Sequence, residues 1–474
     1  MRRSLLTLPL AMALGGCWSV GPDYVPPALP DPGASFKAGD PPAVSRDAPP
    51  ERWWESFADP TLNTLIDRAV AGNYDLKGAT ANLAAARAAR DATGARQFPT
   101  LDFNASYDRA RESAATQLGN AYIAAPDVNL TQVGGLLSWE LDLFGRVRRQ
   151  VEAADADSAQ SEALRRQVLI EVIAQVASAY VDLRGAQLRL TVADNNAQNQ
   201  RRTFELTETL SEAGRGTDLD VARARAQLET TLATVPPLRA EVAADKHQLA
   251  LLTGQTPSAL DDILDPVAPL PALPAFLPVG DPGAMLRRRP DVAAAERGLA
   301  AATARIGVAA ADFYPTISFT AAPSLQALQP GDLAKKGAFA YSIGPALSLP
   351  IFDPSVYARM RGANANQQAA LASFEKTVLT ALAETETALD AYDQDRSRRQ
   401  SLSIASEASG RAAELASTRY QYGAENFLAV LDAEARKLAA EDQLAQSEIA
   451  VTMDLVTIYR ALGGGWKIEQ AADK

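Results

Sequence analysis

Apolar residues fall on two different periods along this chain, and each period occurs twice. From Leu101 the period is two: Leu101, Phe103, Ala105 and Tyr107 alternate with polar residues. After a polar stretch, Val133, Gly135, Leu137, Trp139, Leu141 and Leu143 do the same against Gln132, Ser138, Glu140 and Asp142. Two strands joined by a long loop is the simplest reading. The design returns at Ile317, Phe319 and Ala321, set against Thr316, Ser318 and Thr320. A return run then puts Phe339, Tyr341, Ile343, Leu347, Leu349 and Ile351 on one face and Ala340, Ser342, Gly344 and Ser348 on the other. One face is small and polar and the other apolar and aromatic, which is inside-out for a soluble sandwich and right for a membrane barrel.

A long helical pattern follows each strand pair. From Gly145 to about Ala213 only weak breaks interrupt it, a span of roughly 100 Å at 1.5 Å per residue. Leu169, Val176, Leu183 and Leu190 recur every seven residues, with Val172, Ala179, Ala186 and Ala193 between them. Small residues at alternate seam positions let neighbouring helices approach closely. The second long helix starts at Asp353-Pro354, cap then first position, and carries the weaker seam Leu371, Phe374, Val378, Ala381, Thr385, Ala388 and Tyr392. A plain coiled-coil spacer is the competing reading. It leaves unexplained why each long helix follows a strand pair.

The two helical patterns break at matching points. Ala213-Gly214-Arg215-Gly216-Thr217-Asp218-Leu219-Asp220-Val221 ends the first, and Arg419-Tyr420-Gln421-Tyr422-Gly423-Ala424-Glu425-Asn426-Phe427-Leu428 ends the second. Gly214 and Gly423, Thr217 and Asn426, Leu219 and Leu428, and Val221 and Val430 are each 209 residues apart. Glycine supplies the left-handed position that closes a helix, and Thr or Asn caps the next one. Upstream, Phe98-Pro99-Thr100-Leu101 is echoed 216 residues later by Tyr314-Pro315-Thr316-Ile317. The chain is duplicated, with two equivalent helix–turn–helix tips.

The remaining segments frame these repeats. Arg2 and Arg3 precede an apolar run, Leu5 to Leu14, too short to span a bilayer, so 1–16 reads as a signal peptide ending at Cys17. Leu14-Gly15-Gly16-Cys17 resembles a bacterial lipobox, whose Cys is acylated; an incidental Cys after an ordinary signal peptide is the alternative. Residues 17–58 form a Pro-rich arm, 59–254 the first repeat, 255–282 a Pro-rich linker placed at the middle of the length, 283–462 the second repeat and 463–474 a frayed tail. Asp59 caps and Pro60 starts a helix with the stripe Leu62, Leu65, Ile66 and Ala69, and a second helix runs from about Asp75 to Arg96. Arg287 to Arg289 reads as a solvated turn.

Strand arithmetic constrains the assembly. Four strands cannot close a barrel, which takes about eight at the least. An open four-stranded sheet in lipid leaves unpaired edges at several kcal/mol per group. The strands must then be pooled in an oligomer, unless helices cover the sheet in a soluble fold.

Composition narrows the function. At 474 residues with 22% charged and 47% hydrophobic positions, the chain is neither disordered nor a helical membrane bundle. A net charge of −11 argues against nucleic acid. One Cys and one His exclude disulfides within the chain, Cys-rich zinc sites and most His-based catalysis. His247 lies beside Lys246 in a charged helical pattern and reads as solvated. No catalytic constellation and no metal site emerges, and no cofactor is implied beyond covalent lipid on Cys17.

Cys17 followed by Gly21-Pro22-Asp23-Tyr24-Val25-Pro26, the Trp53-Trp54 to Leu62 segment, and Arg289-Pro290-Asp291 to Pro315 resemble signatures of the outer membrane factor family, the lipoprotein exit ducts of tripartite efflux pumps. The resemblance covers essentially the whole mature chain. It implies a mainly α protein with membrane β: a homotrimer whose protomers give four strands each to a twelve-stranded outer-membrane barrel. A long periplasmic α-helical tunnel with a mixed α/β equatorial belt continues it. The implied partners are a periplasmic adaptor, an inner-membrane proton-coupled (RND) pump and outer membrane lipid. By position, Leu428 would form an apolar constriction at the periplasmic end and Asp432 an acidic ring, with Tyr420 holding neighbouring helices and Gly423 forming the turn. Leu219, Asp218 and Asp220 would be their counterparts in the first repeat. Glu425 stands where some relatives have a basic residue, which leaves the locking bonds open. Ordinary seam packing for Leu428 and solvation for Asp432 remain the competing reading. The implied function is passive export of small toxic molecules, with a duct for type I protein secretion as the alternative.

Overall fold

The computed structural model describes residues 19–28, 33, 35–37, 44–111, 113 and 126–466. The expected signal peptide, Cys17 and residues 467–474 lie outside the described residues. In chain order the elements begin with β1 (Val44–Ser45), α1 (Pro60–Gly72), α2 (Tyr74–Gly94), β2 (Thr100–Ala110) and β3 (Val128–Leu141). There follow α3 (Arg146–Glu212), α4 (Asp218–Leu232), α5 (Val235–Leu252), α6 (Asp261–Leu264), β4 (Leu277–Pro278), α7 (Pro282–Arg288) and α8 (Pro290–Ala311). The chain closes with β5 (Thr316–Ala327), β6 (Phe339–Ser348), α9 (Pro354–Gln421) and α10 (Phe427–Ala461). The long helices α3 and α9 have 67 and 68 residues.

The fold divides into two compact units, each assembled from both repeats. One comprises the N-terminal residues to Pro27, Leu83–Ser161 and Ala295–Phe374. Its sheet is antiparallel in the order β2-β3-β5-β6. The two expected hairpins are joined by pairing of β3 with β5, in the register Val133↔Leu325 and Trp139↔Phe319. Alternation then sorts the side chains: Phe103 pairs with Gly135, and Ile343 with Ala321. Leu101, Phe103, Tyr341, Ile343 and Leu347 stand exposed on the apolar face. Leu130 and Leu136 are exceptions, falling at even positions among polar residues. β2 and β6 are the edges of the sheet.

In the same unit the Gly21-Pro22-Asp23-Tyr24 motif is held against α3 and α8. Arg149, almost fully buried, donates to the carbonyls of Val20 and Gly21 and to Asp23 at 2.7 Å. The Tyr24 hydroxyl donates to Glu296 at 2.7 Å. Gly21 has φ 92° and lies so close to Gly307 that an added Cβ would sit 2.4 Å from its Cα. Gly21 is therefore fixed both by space and by backbone conformation, and a Cβ on Gly307 would meet the Arg149 side chain at 2.7 Å.

The other unit comprises Ala28–Asn82, Glu162–Ala294 and Glu375 onward. Asp59 caps α1 by accepting from the Thr61 and Leu62 amides, and Pro60 occupies the first turn. The stripe Leu62, Leu65, Ile66 and Ala69 is fully buried. Trp53 stacks on Tyr459 with ring centroids 5.0 Å apart. The Pro-rich arm and linker meet in a two-stranded parallel sheet, Val44↔Leu277 and Ser45↔Pro278. Seam residues Val176, Leu183, Val378, Ala381 and Thr385 are buried.

Two expectations fail in this unit. The chain is not frayed from Gly463: Gly463, Gly464 and Gly465 are buried, and the Trp466 indole donates to the Arg288 carbonyl at 3.1 Å. The Arg166 guanidinium lies 4.5 Å over the Trp466 ring. Without side chains of their own, the glycines bring the backbone in among Trp53 and Trp54. Nor is Arg287 to Arg289 a wholly solvated turn. Arg288 donates to the Leu462 carbonyl, while buried Arg289 bonds the Ala461 carbonyl, Asp291 and Glu384. A guanidinium with three partners tolerates burial that an unpaired one would not.

Candidate functional site

Both helix tips lie in the second unit, and their backbones are near copies. Gly214 has φ 70° and Gly423 has φ 71°. At the first turn the Arg215 amide reaches the Leu210 carbonyl and the Gly214 amide that of Ser211. At the second, Ala424 reaches Arg419 and Gly423 reaches Tyr420. This paired closure satisfies carbonyls that a helix end otherwise leaves open. The next helices start alike: Thr217 accepts from the Asp220 amide at 3.2 Å, and Asn426 from the Ala429 amide at 3.0 Å. Leu219 and Leu428 then project with 56% and 55% of their surface exposed.

The side chains around the turns differ. Tyr420 packs its ring against Phe427, centroids 5.5 Å apart, and both join Ala224, Val430 and Phe204 in an apolar cluster. Burial pushes the Tyr420 phenol up, while its hydrogen bond with Thr207 opposes that shift. Tyr420 thus links α9 to α3, α4 and α10 of its own protomer. Ser211 and Asp218 occupy the equivalent positions in the first tip and share a hydrogen bond of 3.4 Å. Asp220 accepts from the Thr217 hydroxyl at 2.7 Å, which ties the cap residue to the first turn of α4.

Asp432 is not the bare carboxylate that its sequence position suggests. It accepts from Arg436, one helical turn on, at 2.9 Å. The pair is well exposed and contributes a few tenths of a kcal/mol at most, but it offsets the charge of any acidic ring. Glu425 lies 3.6 Å from Arg419 across the turn. The first tip has Gly216 and Leu210 there, so only the second carries this bond.

Sequence reasoning missed a polar ladder between α3 and α10. Thr203 donates to Glu434 at 2.6 Å, Asn196 to Glu441 at 2.6 Å, and Arg189 to Asp442 at 2.8 Å. Burial pushes the Glu434 carboxyl up, against the Thr203 bond. The signal was present: Arg189, Asn196 and Thr203 follow one another at seven-residue spacing on the seam helix. Among the described residues no group of three His, Cys, Asp or Glu is placed to hold a metal ion, and no helix is long and apolar enough to cross a membrane.

The family model described as "Outer membrane efflux protein" matches residues 65–255 and 282–464, one stretch in each repeat. A probable efflux pump outer membrane protein of Pseudomonas putida, TtgC, is 33% identical over 98% of this chain and 96% of its own length. Nodulation protein T of Rhizobium leguminosarum is 30% identical, over 98% of this chain and 94% of its own. The solved outer-membrane channel OprN superposes with a TM-score of 0.89 at 44% identity, covering 95% of this chain and all of that one. The open state of the Neisseria gonorrhoeae MtrE channel gives 0.84 at 29% identity, over 94% of this chain and 98% of that one. The chain belongs to the outer membrane efflux protein family.

Proposed function

We propose that the chain is one protomer of a homotrimeric exit duct, contributing four of twelve strands to a barrel in the outer membrane and long helices to a tunnel in the periplasm. The sheet carries this reading. Its apolar face is exposed, and β2 and β6 are edges whose backbone groups would each cost several kcal/mol unpaired in lipid. Three copies pair every edge. Small toxic compounds or drugs pass through passively, delivered by an inner-membrane proton-coupled (RND) pump and a periplasmic adaptor; relatives named for antibiotic and toluene efflux pumps support that cargo. Cys17 carries acyl chains, each buried methylene adding about 0.8 kcal/mol to membrane attachment.

The two tips form the resting gate. Three copies each of Leu219 and Leu428 narrow the periplasmic end with an apolar constriction that excludes water. Asp432, paired with Arg436, gives only weak cation preference. Replacing Leu219 and Leu428 together by Ala should raise single-channel conductance in planar bilayers and let bulky antibiotics leak inward, with the trimer intact by native mass measurement. Unchanged conductance from an intact trimer would remove these residues from the gate. A stable folded monomer would remove the duct.

A further inference from the structure

Asp245 on α5 and Asp454 on α10 stand at equivalent places in the two repeats, 209 residues apart. The same offset pairs buried Leu249 with Ile458, Ala250 with Tyr459, and Gly254 with Gly463, whose φ angles are 70° and 68°. In each repeat the aspartate is half-buried on a helix that leads back from a tip, and its Oδ2 is covered without a hydrogen-bond partner. An ionised carboxylate so placed loses hydration with nothing to replace it.

What faces each aspartate is another acid. Asp182 on α3 acts on Asp245, as does Glu241 one turn back on α5. Asp395 on α9 comes within hydrogen-bonding reach of Asp454. Asp395 aligns with Ala186, so the two long helices supply their acids from successive turns. The cations nearby have other partners. Lys246 holds Asp261 and Asp265, and Arg189 lies 2.8 Å from Asp442 and 3.8 Å from Glu241. Arg398 is 3.8 Å from Asp395, and Arg396 lies over the ring of Tyr392, whose phenol faces Asp454 and also feels Arg399. Burial, reinforced by the neighbouring carboxylates, pushes Asp245 up to about 7 and Asp454 up to about 6, and moves Asp182 upward too. Among the described residues no group of three such side chains is placed to hold a metal ion, so a proton is the species that relieves the repulsion.

We propose that Asp245 with Asp182, and Asp454 with Asp395, are two repeat-related proton sites that clamp each return helix to its long helix. A shared proton removes one charge from each pair, and its loss sets like charges face to face and loosens the contact. The folded chain binds these protons more tightly than the unfolded chain does, so both contacts are firmest in acid. Their contribution is complete below the ordinary aspartate range and is lost as pH rises through about 6 at Asp454 and about 7 at Asp245. Each pair lies within one chain, so the inference does not depend on the duct reading.

Hydrogen exchange of the intact protein in detergent tests it locally. Protection factors, corrected for the intrinsic pH dependence of exchange, should fall at least about tenfold between about pH 5 and about pH 8 at the amides flanking both aspartates. Asp245→Asn should flatten the change around position 245 alone, and Asp454→Asn around position 454 alone, because an amide copies the protonated shape without titrating. Comparing the unmodified chain with Asp454→Asn also removes the separate dependence carried by Glu434 on α10. An infrared difference spectrum gives a second readout. At about pH 6 the unmodified chain should show protonated-carboxyl absorption that the double Asn variant lacks. Equal slopes in the unmodified chain and the double variant, protection that falls toward acid at these amides, or a flat carboxyl difference spectrum would each overturn the proposal.

Discussion

The two helix tips share a backbone and differ in what holds it. Gly214 and Gly423 turn the chain through the same φ, and the caps Thr217 and Asn426 bond the same amide three residues on. Across the turn, however, the first tip sets Ser211 against Asp218, and the second sets Tyr420 against Phe427. One pair is exposed and polar; the other belongs to an apolar cluster in which Phe427 is 3% exposed. The same turn is thus pinned by an apolar cluster in the second repeat and by an exposed polar pair in the first. The second tip also carries Glu425–Arg419 and Asp432–Arg436, at positions where the first has Gly216, Leu210, Arg223 and Gln227.

Removing the aromatic pin should break the comparison most. Phe427→Ala should loosen the second tip by about 3–5 kcal/mol, the cost of emptying a buried aromatic site, read as faster hydrogen exchange over residues 419–431. Asp218→Ala should change the first tip by less than about 0.5 kcal/mol. Similar effects at the two tips would mean that the cluster does not anchor the second.

The glycines should sharpen the likeness. Gly214→Ala and Gly423→Ala each force a left-handed alanine at about 1–2 kcal/mol. Neither site has a heavy atom within 4 Å of an added Cβ, so the two losses should agree. A clear inequality in local exchange would reveal a neighbour acting on one turn only.

A smaller, pH-dependent asymmetry should come from the ladder that holds α10, the helix after the second tip. Burial raises the Glu434 carboxyl, so the folded chain holds that proton more tightly than the unfolded chain does. The contact should therefore be firmest in acid. It should lose stability as pH rises from the ordinary glutamate range through the raised value. Glu434→Gln should flatten that dependence, and Thr203→Val should cost about 1 kcal/mol for its hydrogen bond. A steeper loss in acid would reverse the assignment.

The least effect belongs to the exposed pair. Arg436→Ala should alter stability by only about 0.3–0.5 kcal/mol, yet free the Asp432 charge and raise cation selectivity in planar bilayers. Selectivity that stays constant would place Asp432 away from the conducting path.

Sequence by itself determined the features that local chemistry controls. Period-two runs became β2, β3, β5 and β6, and the seven-residue seams became α3 and α9 with ends within a residue or two of Gly145, Ala213 and Asp353-Pro354. Capping and left-handed glycines need only neighbours a few residues away, so both turns were legible before any contact was known. The internal offsets were equally legible, because a duplication preserves spacing. Tertiary structure alone decided which side chains are covered and by what. Tyr420 was expected to hold neighbouring helices, but only the fold showed that it does so through Phe427 and through Ala224 on α4. The Arg288 and Arg289 guanidiniums looked solvated until the end of α10 offered its carbonyls. Gly463 to Gly465 looked frayed until Trp53 and Trp54 closed around them. Burial and pairing depend on residues hundreds of positions apart, and a pattern along the chain records a period and a face without recording what lies opposite.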